Sequence, residues 1–239
     1  MNQRLIRLDE GLKDLNIILD QEQKDQFIKY YELLVAWNRV MNLTAITDLD
    51  EVINKHFIDS LTMVKIYNIS NEKIIDVGTG AGFPGVPIKI AFPNTRIVLL
   101  DSLNKRINFL NEVIKELKLG GIETIHGRAE DYGKNKKYRE QFDISTSRAV
   151  AKLTTLAEYC IPFVKIGGSF IPYKSGNIEE EFDTAKRCIE ILGGDMVDVK
   201  RFSLPTTNIE RALIRIKKKS KTPIKYPRAA GKPGKEPLV

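Results

Sequence analysis

Four glycines fall within eight positions of the run IIDVGTGAGFPGVPI (residues 74–88), directly behind a short apolar stretch, and Asp76 stands two places before the first of them. Glycine gathers where the backbone must turn sharply or where something approaches it closely. A ligand held against main-chain amides is the chemistry such a loop serves. Gly80, Gly82 and Gly85 satisfy G-x-G-x-x-G, the dinucleotide fingerprint, and Asp101 follows about twenty residues later. The bare alternative is a tight strand-to-helix turn with no ligand at all.

Counted from the acid, the run reads Asp76-Val-Gly78-Thr-Gly80-Ala-Gly82 and resembles the first motif of S-adenosylmethionine (SAM)-dependent methyltransferases. The two ligands ask for different loops. A dinucleotide presents a pyrophosphate to the helix N-terminus. SAM has no phosphate but carries an amino-carboxylate and a sulfonium, so a carboxylate near the loop favours it. Asp76 fits SAM better. Pro84 and Pro87 fall in the first helical turn, where missing N–H groups cost little.

The elements that must position this loop are legible in the patterning. Residues 1–70 read as helices: Leu5, Leu8, Leu12 and Leu15 repeat at steps of three and four. Asp20 with Gln23 resembles a capping box for a second helix with the apolar face Phe27, Tyr31, Leu34 and Trp37. A third stretch after TAITD carries Val52, Ile53 and His56 and, past a break, Leu61 and Val64. From Lys73 short β-rich runs alternate with helical ones: KIIDVG, RIVLLD, IETIH, FDISTS, GGSFIPY and RALIRI. SLNKRINFLNEVIKELKLG is the clearest of the helices, with Gly120 in the C-cap position. That alternation predicts a parallel sheet covered on both faces. Residues 175–210 carry no motif, and the Pro-, Gly- and Lys-rich stretch beyond Lys217 reads as irregular.

In an open α/β sheet ligands bind beyond the carboxyl ends of the strands. Those ends are the Gly78–Gly82 loop, Asp101-Ser102, Gly127 to Asp131, Ser147-Arg148 and Tyr173-Lys174. Asp101 is the natural partner for ribose hydroxyls, and Ala129-Glu130 is placed to frame an adenine. All of them meet at one edge of the sheet.

DVGTGAGFPGVPIKI, DSLNKRINFL, GRAED and STSRAVA, in that order and spacing, resemble the glucose-inhibited division protein B family. WNRVMNLTAIT (37–47), KHFIDSL (55–61) and YPRAAGKPGKEPL (226–238) extend the resemblance over nearly the whole chain. It implies a Rossmann-like class I SAM-dependent methyltransferase with a mostly parallel seven-stranded sheet. It also implies methylation of guanine N7 in 16S ribosomal RNA of the small subunit, near the decoding centre. The expected layout is an N-terminal helical segment (1–70), a SAM domain (71–217) and a basic tail (218–239). Position by position, the family pattern puts SAM binding on Gly78, Phe83, Ala129, Glu130 and Arg148; the loop reading adds Gly80, Gly82 and Asp101. Phe83 is a core aromatic or a ring packed on the cofactor. Arg148 is expected to orient the base, or else to be bridged to Glu130 or Asp131. Lys174, Arg211, Arg228 and Lys232 are the basic residues expected to meet RNA.

What the chain lacks agrees with this chemistry. It has no N-P-P-Y-like stretch for an exocyclic amine, and neither Cys160 nor Cys188 follows a proline, as a cysteine attacking a pyrimidine would. His56 and His126 form no catalytic pair and read as structural. Guanine N7 needs no general base, because its lone pair has no proton to lose.

The chain has 239 residues, 42% hydrophobic and 29% charged, ordinary for a globular protein. No apolar run approaches the roughly 20 residues of a membrane span. The N-terminus lacks a secretion signal's apolar stretch, and two cysteines give no disulfide framework. A cytoplasmic monomer without metal is the expectation. From Lys217 onward there are eight basic residues and one acid, so the net charge of +7 belongs to the tail. Such a tail suits a polyanion or simple solubility, and of its residues Tyr226 is the one expected to pack back. If it is a phosphate clamp, its removal should leave SAM affinity intact. Two other functions compete: a nicotinamide-dependent oxidoreductase using G-x-G-x-x-G, and a non-catalytic RNA-binding module on a methyltransferase fold.

Overall fold

The computed structural model describes residues 5–148, 151–176 and 178–238, so Ala149 and Val150 of the STSRAVA run lie outside the described residues. The leucine stripe forms α1 (Ile6–Asp14) and is buried along its length. Asp20 and Gln23 make the reciprocal capping box that opens α2 (Gln21–Met41), with hydrogen bonds of 2.8 and 2.9 Å. The buried face of α2 is Phe27, Tyr30 and Leu34, whereas Tyr31 and Trp37 are half-buried. Tyr30 displaces the expected Tyr31 because its hydroxyl reaches inward to the Ala81 carbonyl in the glycine loop.

The third helical stretch does not break where expected. α3 (Leu49–Val52), capped by Asp48, passes through a π turn (Ile53–Ile58) into α4 (Asp59–Leu61) and a 3₁₀ turn (Thr62–Lys65). The wider turn shifts the helical register and leaves the Lys55 and His56 carbonyls accessible to a side chain from elsewhere.

Seven strands follow, in the order β1 (Lys73–Val77), β2 (Arg96–Asp101), β3 (Ile122–His126), β4 (Phe142–Ser147), β5 (Val164–Ser175), β6 (Gly194–Ser203) and β7 (Glu210–Lys218). They form one sheet in the spatial order β3-β2-β1-β4-β5-β7-β6. The first five are parallel, and β7 runs antiparallel to both β5 and β6. The strand order reverses between β1 and β4, which opens a crevice at their carboxyl ends.

The two faces of the sheet feed two cores, with a register shift between Phe142 and Ile144 in β4. Ile74, Ile97, Leu99, Ile144 and Leu213 pack with α1, α2, α5 (Gly85–Ala91) and α6 (Asn104–Glu116). Ile75, Val98, Phe142, Phe170 and Ile214 pack on the other face against α8 (Leu153–Cys160) and α9 (Glu179–Ile191). The N-terminal helices therefore share a core with the sheet. At the end of α6, Lys118 rather than Gly120 takes the left-handed position (φ 53°), and the Leu119 N–H returns to the Ile114 carbonyl in a Schellman closure. The helix closes two residues before the expected glycine.

The tail is largely irregular, apart from the single turn α10 (Lys232–Lys235), but it is not loose. Tyr226 and Pro233 are buried, and Lys218 is inside the protein beside Glu140, at 3.3 Å.

Candidate active site

The four glycines of the loop do two different jobs. Gly78 and Gly80 adopt positive φ (71° and 62°), and a Cβ on either would meet no atom within 4 Å. Open space lies over them, and Gly78 lines a cavity of about 220 Å³. Gly82 instead faces the core, where a Cβ would stand 2.6 Å from the Tyr30 hydroxyl and 2.7 Å from Val86 Cγ2. Gly85 is equally constrained, against Leu99.

Asp76 holds this turn from below. It is fully buried, and its Oδ2 accepts hydrogen bonds from Thr79 Oγ1 (2.6 Å) and the Gly85 N–H (2.9 Å), while Oδ1 has no partner among the described residues. Burial pushes its pKa up to about 6 against the pull of those two hydrogen bonds. Asp76 does not line the cavity, so its service to a ligand is to fix the loop and not to face the ligand. The same contact argues against a pyrophosphate. The Gly85 N–H is taken by Asp76, the Val86 N–H by the Gly82 carbonyl, and Pro87 has none. The start of α5 offers no open amides to an anion.

The cavity lies beyond the ends of β1, β2 and β3. Asp101 lines it, nearly buried, and accepts from the Gly80 N–H (2.9 Å), the Leu103 N–H (2.9 Å) and Arg106 Nη1 (3.2 Å). The expected ribose partner is thus also the brace of the glycine loop. Ala129 and Glu130, in the single turn α7 (Ala129–Tyr132), form another part of the wall, and Leu100, Leu156 and Tyr159 give it apolar surface. Glu130 Oε1 accepts the Gly231 N–H at 2.8 Å, so the tail reaches this wall. A backbone cradle with room above it, a carboxylate at the end of β2 and apolar flanks fit the parts of SAM.

Phe83 does not line the cavity. Its ring is buried, stacked on His56 at 4.6 Å and close to Tyr30 and Phe57, with the Arg148 guanidinium 4.9 Å above it. Tyr30 and Phe57 enclose it from the helical segment.

A second cavity, of about 350 Å³, is lined by Lys55, His56, Asp59, Arg148, Tyr173, Lys174 and Arg211, among others. Arg148 bridges neither Glu130 nor Asp131. Its Nη1 donates to Asp59 Oδ2 (3.0 Å) and the Lys55 carbonyl (3.0 Å), and its Nη2 to His56 Nδ1 (3.2 Å). His56 Nδ1 lies within hydrogen-bond distance of both Arg148 Nη2 (3.2 Å) and the Lys55 carbonyl (3.1 Å). Burial first, and then Arg148, push the His56 pKa down to about 4, so the ring is neutral, with Nε2 2.9 Å from Thr44 Oγ1.

Of the residues expected to meet RNA, Arg211 lines this cavity and donates from Nε to Asp59 Oδ1 (3.1 Å). Lys174 lines it too, but its ammonium is committed to Glu181 (2.6 Å) and the Ala151 carbonyl (3.0 Å). Arg228 is paired within the protein. Its guanidinium grips the fully buried Glu158, with contacts of 2.7 to 3.1 Å, because a buried carboxylate needs a cation. Lys232 is half-exposed and 3.6 Å from Glu236.

His56 and Asp59 are the site residues that sequence reasoning missed. The available signal was an aspartate amid Phe57, Ile58 and Leu61, on a face that must be buried. Among the described residues no group of His, Cys, Asp or Glu has the arrangement of a metal site.

Strand order, switch-point crevice and glycine loop together define a class I methyltransferase fold. Solved structures share it: TrmN from Thermus thermophilus (TM-score 0.52, 12% identity, 67% of this chain and 48% of that one) and M. jannaschii TYW2 in complex with AdoMet (TM-score 0.50, 16% identity, 62% and 69%). The sequence is more specific. Residues 23–214 match the family described as rRNA small subunit methyltransferase G. Proteins named ribosomal RNA small subunit methyltransferase G from Lachnoclostridium phytofermentans and Acetivibrio thermocellus are each 54% identical to it. They align over 96% and 97% of this chain and 96% of their own lengths. The chain belongs to the rRNA small subunit methyltransferase G family and is a SAM-dependent methyltransferase. The oxidoreductase and non-catalytic readings fall with that membership.

Proposed function

We propose that the enzyme transfers the methyl group of SAM to N7 of a guanine in the 16S ribosomal RNA of the small subunit, with Arg148 orienting the base. The observation that carries this reading is the placement of two consecutive residues at the switch point: Ser147 lines the first cavity and Arg148 the second. Cofactor and base would then meet at the end of β4.

Gly78 and Gly80 would let the cofactor approach the backbone, Asp101 would take its ribose hydroxyls, and Ala129 and Glu130 would frame its adenine. SAM supplies an electrophilic methyl group and leaves as a thioether. On the protein's side, no proton has to be moved. Guanine N7 attacks with a free lone pair, so holding the base in line is the main task, and orientation alone can be worth ~7–11 kcal/mol. Arginine ordinarily grips guanine through both O6 and N7. Here N7 must stay open, which leaves O6 or a flanking phosphate for Arg148. The methylated base becomes cationic, and the neutral His56 beside Arg148 adds no opposing charge.

Residues 1–70 and the tail are read as additions to a SAM domain at 71–217. Lys232 and other exposed lysines of the tail offer phosphate contacts. A ribosomal substrate supports a cytoplasmic location. Among the described residues no helix is long and apolar enough to cross a membrane. A monomer is favoured because the large exposed apolar side chains, such as Ile18, Val40 and Ile224, come singly from different segments.

Arg148→Lys keeps the charge and loses the planar fork. In single-turnover transfer from labelled SAM to small-subunit RNA the variant should be slowed severely, with a smaller loss in SAM affinity by calorimetry. Transfer at the wild-type rate would assign Arg148 to structure alone.

A further inference from the structure

Asp59 sits at the start of α4, in the helical segment and not in the SAM domain, yet it lies at the centre of the second cavity's wall. Its side chain is 4% exposed, and its two oxygens go to two different arginines: Oδ2 to Arg148 at 3.0 Å and Oδ1 to Arg211 at 3.1 Å. Those arginines come from the end of β4 and from β7. Both side chains remain partly exposed, 16% and 25%, and both line the cavity.

The hydrogen-bond inventory shows what this leaves over. Arg148 spends Nη1 on Asp59 and the Lys55 carbonyl and one Nη2 proton on His56; its Nε–H and second Nη2–H have no partner among the described residues. Arg211 spends Nε on Asp59 and Nη1 on the Glu210 carbonyl, leaving Nη2. One edge of each fork is therefore fixed and another is unspent. Phe83 beneath Arg148 and the carbonyl of the π turn beside it remove most of that side chain's rotational freedom. Two guanidiniums on one carboxylate also leave a net positive charge in the cavity wall.

We infer that Asp59 is the positioning residue for the target nucleotide, holding Arg148 toward guanine O6 and Arg211 toward an adjoining phosphate in the 350 Å³ cavity. This rests on the guanine-N7 reading and deepens it. Guanine O6 and phosphate oxygens accept only, and guanidinium edges donate only, so the pairing is complementary. Adenine presents its N6 amino group where guanine has O6, and donor would face donor. The same clamp that aims the guanine refuses adenine.

The test is Asp59→Asn in the full chain, which keeps size and one acceptor oxygen but loses the charge and the second acceptor. Small subunits carrying an unmethylated target are the substrate. With SAM affinity within twofold of wild type, kcat should fall at least thirtyfold, and Asp59→Glu should recover part of the loss. Wild-type kcat in Asp59→Asn, while Arg148→Lys remains slow, would overturn the role of Asp59 and leave the guanine-N7 reading standing. No transfer by the wild-type protein would instead defeat that reading. If Asp59→Asn fails to fold, Arg211→Gln decides. It leaves the Asp59–Arg148 pair whole and should raise KM for the subunit severalfold and reduce the salt slope of binding by about one. An unchanged KM and slope would overturn the proposal.

Discussion

Truncating Arg228 to alanine removes the cation from a carboxylate that has no access to water. Glu158 is fully buried on α8, and the Arg228 side chain donates to it three times, at 2.9, 3.1 and 2.7 Å. A fourth hydrogen bond ties the guanidinium to the Glu236 carbonyl at 2.7 Å. Only the Arg228 backbone N–H, at 2.7 Å, would remain beside the carboxylate. Breaking a buried pair from one side costs about 3–5 kcal/mol, because the surviving charge stays uncompensated. Whole domains are stable by only about 5–15 kcal/mol. Arg228→Ala should therefore lower the urea midpoint strongly at an unchanged denaturant slope. Replacing both partners with methionine should return most of the loss, since an apolar pair of similar volume carries no unmet charge. The cost should also reach the cofactor, because the Gly231 N–H bonds Glu130, in the wall of the first cavity. Removal of the tail is thus expected to weaken SAM binding, contrary to what its charge alone suggested. A loss below about 1 kcal/mol, the level of an exposed ion pair, would contradict an uncompensated buried charge at Glu158.

Asp76→Asn tests the buried carboxylate beneath the loop. Its folded pKa, about 6, lies above the unfolded 3.8, so its contribution to stability is full below 3.8 and is lost as pH rises through 6. Relative to wild type, the variant should gain on the order of 3 kcal/mol between pH 3.5 and 7.5, read by urea unfolding; a constant difference would contradict the burial. Asp101→Ala removes the brace of Gly80 as well as the proposed ribose contact and should cost about 1.5–3 kcal/mol of SAM affinity by calorimetry; unchanged affinity would remove it from the site. Gly78→Ala meets no atom but must hold a φ of 71°, which costs about 1–2 kcal/mol of stability. Its methyl group should weaken SAM binding further. Gly85→Ala should cost stability by overlap with Leu99 instead, about 1–3 kcal/mol.

The parts of this molecule legible in sequence are those whose chemistry is local. The glycine loop and the acids at strand ends announce themselves because turn, strand end and ligand contact fall within a few residues. β6 and α9 were not legible. Nine of the ten β6 residues are half-buried or exposed, with Asp195, Asp198, Lys200 and Arg201 among them, so the strand lacks an apolar signature. The Asp59 cluster was hidden for another reason: its partners stand 89 and 152 residues away. The tail misled through arithmetic. Its charge count is right, but Lys218 and Arg228 are paired internally with Glu140 and Glu158, and no count of charges shows where they end up.

Guanine N7 of small-subunit ribosomal RNA is the proposed methyl acceptor. Small subunits from cells lacking the protein, incubated with the purified enzyme and labelled SAM, test it when the RNA is cleaved chemically at 7-methylguanosine. The expected result is label in 16S RNA and one new cleavage at a guanine, matching a site cut in wild-type cells and uncut in the deletion. Label on an exocyclic amine, on a pyrimidine ring or on no RNA at all would contradict it.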